Sequence, residues 1–165
     1  MPIKFDTAIS RGRLAQVLSY DPDCGEFRWR VTLGSKAPAG NIAGSIGHYG
    51  YRTIRIDRRD YRAARLAWLY VTGRWPTKLV DHIDGNRSND RWANLREATD
   101  SENQANSKRR TDQPYHKGVS FHKAAGKWSA KIQGKHIGLF ETPEKAAAAY
   151  RQAAIVAYGH FARME

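Results

Sequence analysis

The stretch VDHIDGNRSNDRWANLREATDSENQAN, residues 80–106, decides the fold of this chain. Lys78-Leu79-Val80 reads as a short strand that leads into Asp81-His82. Asp84-Gly85-Asn86-Arg87-Ser88-Asn89-Asp90 is a polar loop of turn-forming residues. Leu95 to Thr99 reads as a second strand, and Asp100 as the N-cap of a helix that runs to about Ser107. The order is strand, loop, strand, helix.

Few chemistries use this set of polar side chains. Cleaving a phosphodiester requires an activated water and a cation that absorbs charge on the phosphorane and leaving oxygens. A hard divalent cation takes oxygen ligands. Asp81 offers such an oxygen at a strand end, and Asn103 offers another from the first turn of the helix. His82 adjoins Asp81, and an imidazole can take a proton from water at neutral pH. Asn94 could tie the loop and the histidine ring in place through its amide. Each residue also has a plainer reading. An Asp-His pair is usually a surface coincidence. Asn86, Asn89 and Asn94 are also ordinary turn formers, and Asn103 could be an exposed helical residue.

The joint pattern carries more than its members. Asp81-His82, then Asp84-Gly85-Asn86, then Asn89, Asn94-Leu95 and Ser101-Glu102-Asn103 stand at fixed offsets. In this order and spacing the chain resembles the HNH nucleases, the ββα-metal fold of many phage and intron-encoded homing endonucleases, over residues 61–106. The resemblance implies that His82 is the general base and Asn94 the central asparagine. It makes Asp81 and Asn103 the holders of a divalent cation, Mg2+ or Mn2+. One position departs from the pattern. Relatives often carry His-Arg-Leu in the preceding helix, where this chain has Ala64-Arg65-Leu66. If the missing histidine supports the metal or phosphate, activity falls; if it only packs locally, the loss is tolerable.

Upstream, Ala63 to Thr72 suits a helix with Leu66, Leu69 and Tyr70 inward and Gly73 as its stop. A further short helix is expected over Ile9 to Leu18, then a turn at Tyr20-Asp21-Pro22-Asp23-Cys24-Gly25. Phe27 to Val31 alternates apolar with basic, as a half-buried strand does. Tyr51 to Ile56 is another strand, followed by a polar turn at Asp57 to Asp60. Tyr20-Asp21-Pro22, Gly25-Glu26-Phe27 with Trp29, and Gly50-Tyr51 resemble, more weakly, regions that precede this nuclease core in phage proteins. Arg28, Arg30, Arg52 and Arg55, with Arg58 and Arg59, could line backbone phosphates or form a solvated face.

Downstream, Lys108-Arg109-Arg110-Thr111-Asp112-Gln113-Pro114 reads as a linker with three cations for DNA. Gly118 to Phe121, Trp128 to Ile132 and His136 to Phe140 read as antiparallel strands, with Gly126 and Gly134 in the turns. Thr142-Pro143-Glu144 opens a helix that runs to about Tyr158 and stops at Gly159. Tyr115, Val119, Phe140 and Tyr150 read as core. Lys117-Gly118-Val119, Gly126-Lys127-Trp128, Glu144-Lys145-Ala146-Ala147 and Ala149-Tyr150 make residues 115–162 resemble the APETALA-two/ethylene-response-factor DNA-binding domain. That likeness implies a sheet entering the major groove. Lys117, His122, Lys123, Lys127, Lys131, Gln133 and Lys135 are the candidate DNA contacts, more often to phosphate than to base edges. Plant relatives have more Arg and Trp on this face, so their base preference does not carry over.

Composition agrees with a polyanionic partner. Among 165 residues, 28 Lys and Arg stand against 16 Asp and Glu, a net charge of +12 spread along the whole chain. Each cation that meets a phosphate releases condensed counterions. The single cysteine, Cys24, excludes an internal disulfide and a Cys-based zinc site. No stretch is long and apolar enough to span a membrane, and the N-terminus lacks the apolar run of a signal peptide.

The expectation is therefore an α+β chain in three parts. Residues 1–60 form a β-rich DNA-contacting extension, 61–110 the ββα-metal core, and 111–165 a three-stranded antiparallel sheet packed on one helix. The expected protein is a monomeric, cytoplasmic, metal-dependent endonuclease acting on double-stranded DNA in a bacterial or phage-infected cell. It needs no small-molecule cofactor. The alternative is a non-catalytic, sequence-selective DNA-binding protein with a degenerate HNH domain.

Overall fold

The computed structural model describes residues 9–107 and 115–163. They build four helices and ten strands in small antiparallel sheets. The chain divides into two compact units, Met1–Thr99 and Asp100–Glu165. Lys108, Arg109 and Arg110, with the expected linker through Pro114, lie outside the described residues.

The first unit begins with α1, Arg11–Val17, capped by Ser10, whose hydroxyl accepts from Arg13 N at 3.1 Å. The helix is shorter than expected because Leu18 turns extended and starts β1, Leu18–Asp21. Tyr20 and Asp21 belong to that strand rather than to a turn. Pairing with β2, Glu26–Trp29, places Leu18 opposite Trp29 and Tyr20 opposite Phe27, all of them buried. Burial of four large apolar side chains outweighs the local turn preference of Tyr20-Asp21-Pro22.

Strands β3, Ser45–Ile46, β4, Arg52–Ile56, and β5, Arg59–Arg62, form the next sheet. The expected turn at Asp57 to Asp60 shrinks to Asp57-Arg58, at φ 48° and 67°, and Arg59 onward pairs back as β5. Positive φ at both central residues is the two-residue hairpin geometry that suits strand twist. Arg13 holds Asp57 there through two hydrogen bonds of 3.0 and 2.8 Å. Helix α2, Ala63–Thr72, follows β5 directly and stops at left-handed Gly73.

Strands β6, Leu79–His82, and β7, Leu95–Ala98, close the unit as an antiparallel pair. One hydrophobic core joins residues on both sides of position 60, from Ile9 through Phe27, Ile54 and Leu66 to Leu95. Phe27, Leu14, Leu18, Ile54, Ile56 and Leu66 are its largest fully buried apolar side chains. Each contributes roughly 1.5–3 kcal/mol by leaving water.

The second unit starts with α3, Asp100–Asn106. Strands β8, Val119–His122, β9, Lys127–Ile132, and β10, Lys135–Phe140, form a sheet in the order β10-β9-β8. Helix α4, Pro143–Tyr158, packs on it with N-cap Thr142 and a first-turn proline. Ala146, Ala147 and Ala154 are small enough to bring the helix backbone close to Val119 and Ala130, and Tyr150 fills the same core. Phe140 is partly buried against that core, whereas Tyr115 is exposed and meets Trp128 edge-on.

Candidate functional site

The β6–β7 register sets Asp81 opposite Arg96 and His82 opposite Leu95. Successive strand residues face opposite ways, so Asp81 and His82 enter different surroundings. Asp81 is buried and its Oδ2 accepts from Arg96 Nε at 2.9 Å. His82 is 4% exposed, and its Nε2 lies 2.9 Å from Oδ1 of Asp90, itself 2% exposed. A carboxylate oxygen at this distance is suited to accept from a ring N–H. The other carboxylate oxygen of Asp90 is buried with no hydrogen-bond partner among the described residues.

The loop between the strands is held by its own polar side chains. Asp84 accepts from Asn86 N at 2.7 Å, Asn94 Nδ2 at 3.0 Å and Asn89 Nδ2 at 2.7 Å. Burial pushes the Asp84 carboxyl up, but the hydrogen bonds from Asn89, Asn86 and Asn94 and the nearby His82 outweigh it, and its pKa falls below the ordinary value. Asn94 closes the loop at both ends of its amide, accepting from Asp84 N at 3.0 Å and donating also to Asn89 O at 2.8 Å. Asn94 therefore organises the loop, and Asp90 is the residue that reaches the histidine ring. Nothing local in the sequence singles out Asp90, the last residue of a run of turn formers.

The N-terminal hairpin supports this loop from behind. The Tyr20 hydroxyl donates to Asp90 O at 2.7 Å, and Trp92 N donates to Pro22 O at 2.9 Å. Burial, then the Asp90 charge, push the Tyr20 phenol well above its ordinary value, so it stays a donor. Gly25, at φ 77°, passes so close that a Cβ there would run into Arg91 N and the Asp90 carbonyl. Ala64, where relatives often have histidine, is a buried core residue of α2 at 5% exposure.

Oxygen donors such as the Asp81 carboxylate have the chemistry a hard divalent cation requires. Arg96 already occupies one Asp81 oxygen. Asn103 is half-buried on α3 in the second unit. Among the described residues no three His, Cys, Asp or Glu side chains cluster as a metal site.

The expected DNA contacts fall into two groups. Several have partners within their own unit: Arg28 with Glu26 at 2.8 Å, Arg30 with Ala15 O at 3.1 Å, Arg52 with Gly44 O at 3.4 Å, and Arg55 with Asp60 at 3.9 Å. Lys117 donates to Gln104 O, Ala105 O and Ser107 O at 2.7–3.0 Å, ending α3, and burial lowers its pKa. His122 Nδ1 accepts from Ala125 N at 3.2 Å, Lys127 pairs with Glu141 at 2.9 Å, and Gln133 reaches Ser101 at 3.4 Å. The sheet also groups basic residues. His122 is registered opposite Lys127, and Lys131 opposite His136, on alternate positions from the Val119–Ala130 pair that meets α4. Lys123, Lys131 and Lys135 are exposed.

Residues 61–105 match the family model of the HNH endonucleases. No curated protein and no solved structure matches the chain. The matched segment contains α2, the Asp81–His82 strand, Asp90 and Asn94, and it supports a nuclease with DNA as substrate. It does not favour the silent-domain alternative. Among the described residues no helix is long and apolar enough to cross a membrane.

Proposed function

We propose that this protein is a metal-dependent DNA endonuclease in which His82 is the general base. The observation that carries the reading is the buried His82–Asp90 hydrogen bond beside Asp81, within the segment that matches the nuclease family. With Nε2–H committed to Asp90, Nδ1 is the nitrogen that accepts a proton from the attacking water. The water oxygen forms a bond to phosphorus, the phosphodiester P–O bond breaks, and the leaving oxygen takes up a proton. Asp81 and, by resemblance alone, Asn103 would hold the cation of a ββα-metal core. A bound Mg2+ or Mn2+ supplies charge stabilisation at the phosphoryl and leaving oxygens. Asn94 keeps the loop that carries Asp90 in register with the strand that carries His82.

The second unit adds duplex affinity through the His122, Lys127, Lys131 and His136 face, in the manner of the APETALA-two/ethylene-response-factor domains it resembles. A monomeric, cytoplasmic, phage-like homing role rests on the sequence resemblance. The test is plasmid cleavage in Mg2+ or Mn2+, wild type beside His82→Ala, with DNA from the flanking genome. Cleavage by the wild type alone supports the reading. Absence of cleavage with duplex still bound overturns it in favour of a binding protein.

A further inference from the structure

Tyr51 follows the β3–β4 turn, and its ring centroid lies 6.0 Å from that of His82. Two guanidinium groups lie over this tyrosine ring, Arg62 at 4.2 Å and Arg87 at 5.0 Å from the centroid. Arg62 ends β5, Arg87 belongs to the Asp84–Asp90 loop, and both are exposed while Tyr51 is half-buried. Arg13, Arg28, Arg55, Arg74 and Arg96 each have an acidic partner. Among the described residues Arg62 and Arg87 have none, and Arg87 donates to Tyr49 O at 3.1 Å. Two like charges brought to one ring repel each other. Stacking on the aromatic face holds each in place and leaves most of its five N–H donors outward. An anion bound there would satisfy both.

We propose that Tyr51, Arg62 and Arg87 form a backbone-phosphate subsite that seats the DNA strand beside His82. The subsite rests on the nuclease reading for its substrate. It reads no sequence, because guanidinium groups on phosphates carry register and not base identity. Tyr51 is its positioning residue: the ring sets where both cations stand.

The experiment is fluorescence anisotropy of the full chain with two unrelated duplexes, in chelator, across a salt series. In Arg62→Gln/Arg87→Gln the slope of log K against log[salt] should become shallower by about 2, near 0.9 per phosphate contact, on both duplexes alike. Arg62→Lys/Arg87→Lys should keep most of the slope, and Tyr51→Phe should keep it where Tyr51→Leu does not. An unchanged slope in the glutamine double variant, or a loss on one duplex only, overturns the proposal. A parallel Mg2+ cleavage assay of the wild type separates the two readings. Cleavage with an unchanged slope removes the subsite and leaves the nuclease. A reduced slope with no cleavage in the wild type removes the nuclease and leaves a phosphate-binding surface.

Discussion

His82 Nε2 and Asp90 Oδ1 lie 2.9 Å apart in the interior of the first unit, eight residues apart in sequence on either side of a tight polar loop. The pair ties His82 to the loop, and the Tyr20 hydroxyl ties the loop to the N-terminal hairpin. His82→Ala should lower the cleavage rate by about 10²–10⁴-fold, the range of a general base, with duplex affinity nearly unchanged. Asp90→Asn should lower stability by about 1.5–3 kcal/mol, the range for a hydrogen bond to a charged group, and should lower the cleavage rate at a temperature where the variant is fully folded. Single-turnover cleavage and thermal melts measure both; full activity in Asp90→Asn would remove Asp90 from the mechanism.

Gly25→Ala tests the support behind that pair. The residue has φ 77° and its added Cβ would meet the Asp90–Arg91 backbone. Destabilisation by more than about 1 kcal/mol is expected, because alanine at positive φ is strained even without a collision. The cleavage rate should fall further than stability alone accounts for at a temperature where the variant is fully folded. An unaltered rate there would show that the hairpin does not position Asp90.

Arg96→Gln tests whether a divalent cation binds at the Asp81 carboxylate that Arg96 holds. Without metal the variant should melt lower than wild type, since a buried carboxylate loses its ion pair with Arg96. Mg2+ should then raise its melting temperature more than that of the wild type, because a ligand that binds only the folded state stabilises it in proportion to ln(1 + [L]/Kd). Equal shifts in the two proteins would exclude Asp81 as a cation ligand.

Lys117→Met should destabilise the second unit by roughly 1.5–3 kcal/mol, the range for hydrogen bonds from a charged group, because three carbonyls, one of them part-buried, lose their ammonium donor. The salt slope of DNA binding should not change. Lys127→Gln/Lys131→Gln should do the reverse, flattening the slope with little effect on stability. Urea melts and anisotropy on the same preparations distinguish the roles.

The Asp84 carboxyl gives a pH prediction. Its folded pKa lies below the ordinary value, so its contribution is present above the unfolded pKa of about 3.9 and is lost as pH falls through the folded value. The stability difference between wild type and Asp84→Asn should therefore be constant near pH 6 and shrink as the pH drops below about 4. Glu97, lowered also, by hydrogen bonds from Thr77 and Lys78 that outweigh its burial, is present in both proteins and cancels. Denaturant melts from pH 6 to pH 3 read the difference. A gap that widens toward low pH contradicts the assignment.

Local chemistry is legible in this sequence wherever one segment holds all the partners. The Thr142-Pro143 helix start, the Gly73 stop, the β6 and β7 strands and the Asp84–Asn94 loop depend on neighbours a few residues away, and each was readable from spacing. The same holds for the nuclease motif, whose polar residues lie within one short segment. Tertiary structure decided the rest. Asp90 looks like any other turn residue until the loop folds it onto His82, and Tyr20 looks like part of a turn until β2 pairs with it. Arg62 and Arg87 look like the other arginines in the sequence, and only the fold lays both over Tyr51. Lys117 reads as a DNA contact in the sequence, and only the fold brings its amine to the carbonyls of Gln104, Ala105 and Ser107. Hydrogen-bond partners and charge neighbours are set by distance in space. A pattern along the chain specifies them only when the two distances coincide.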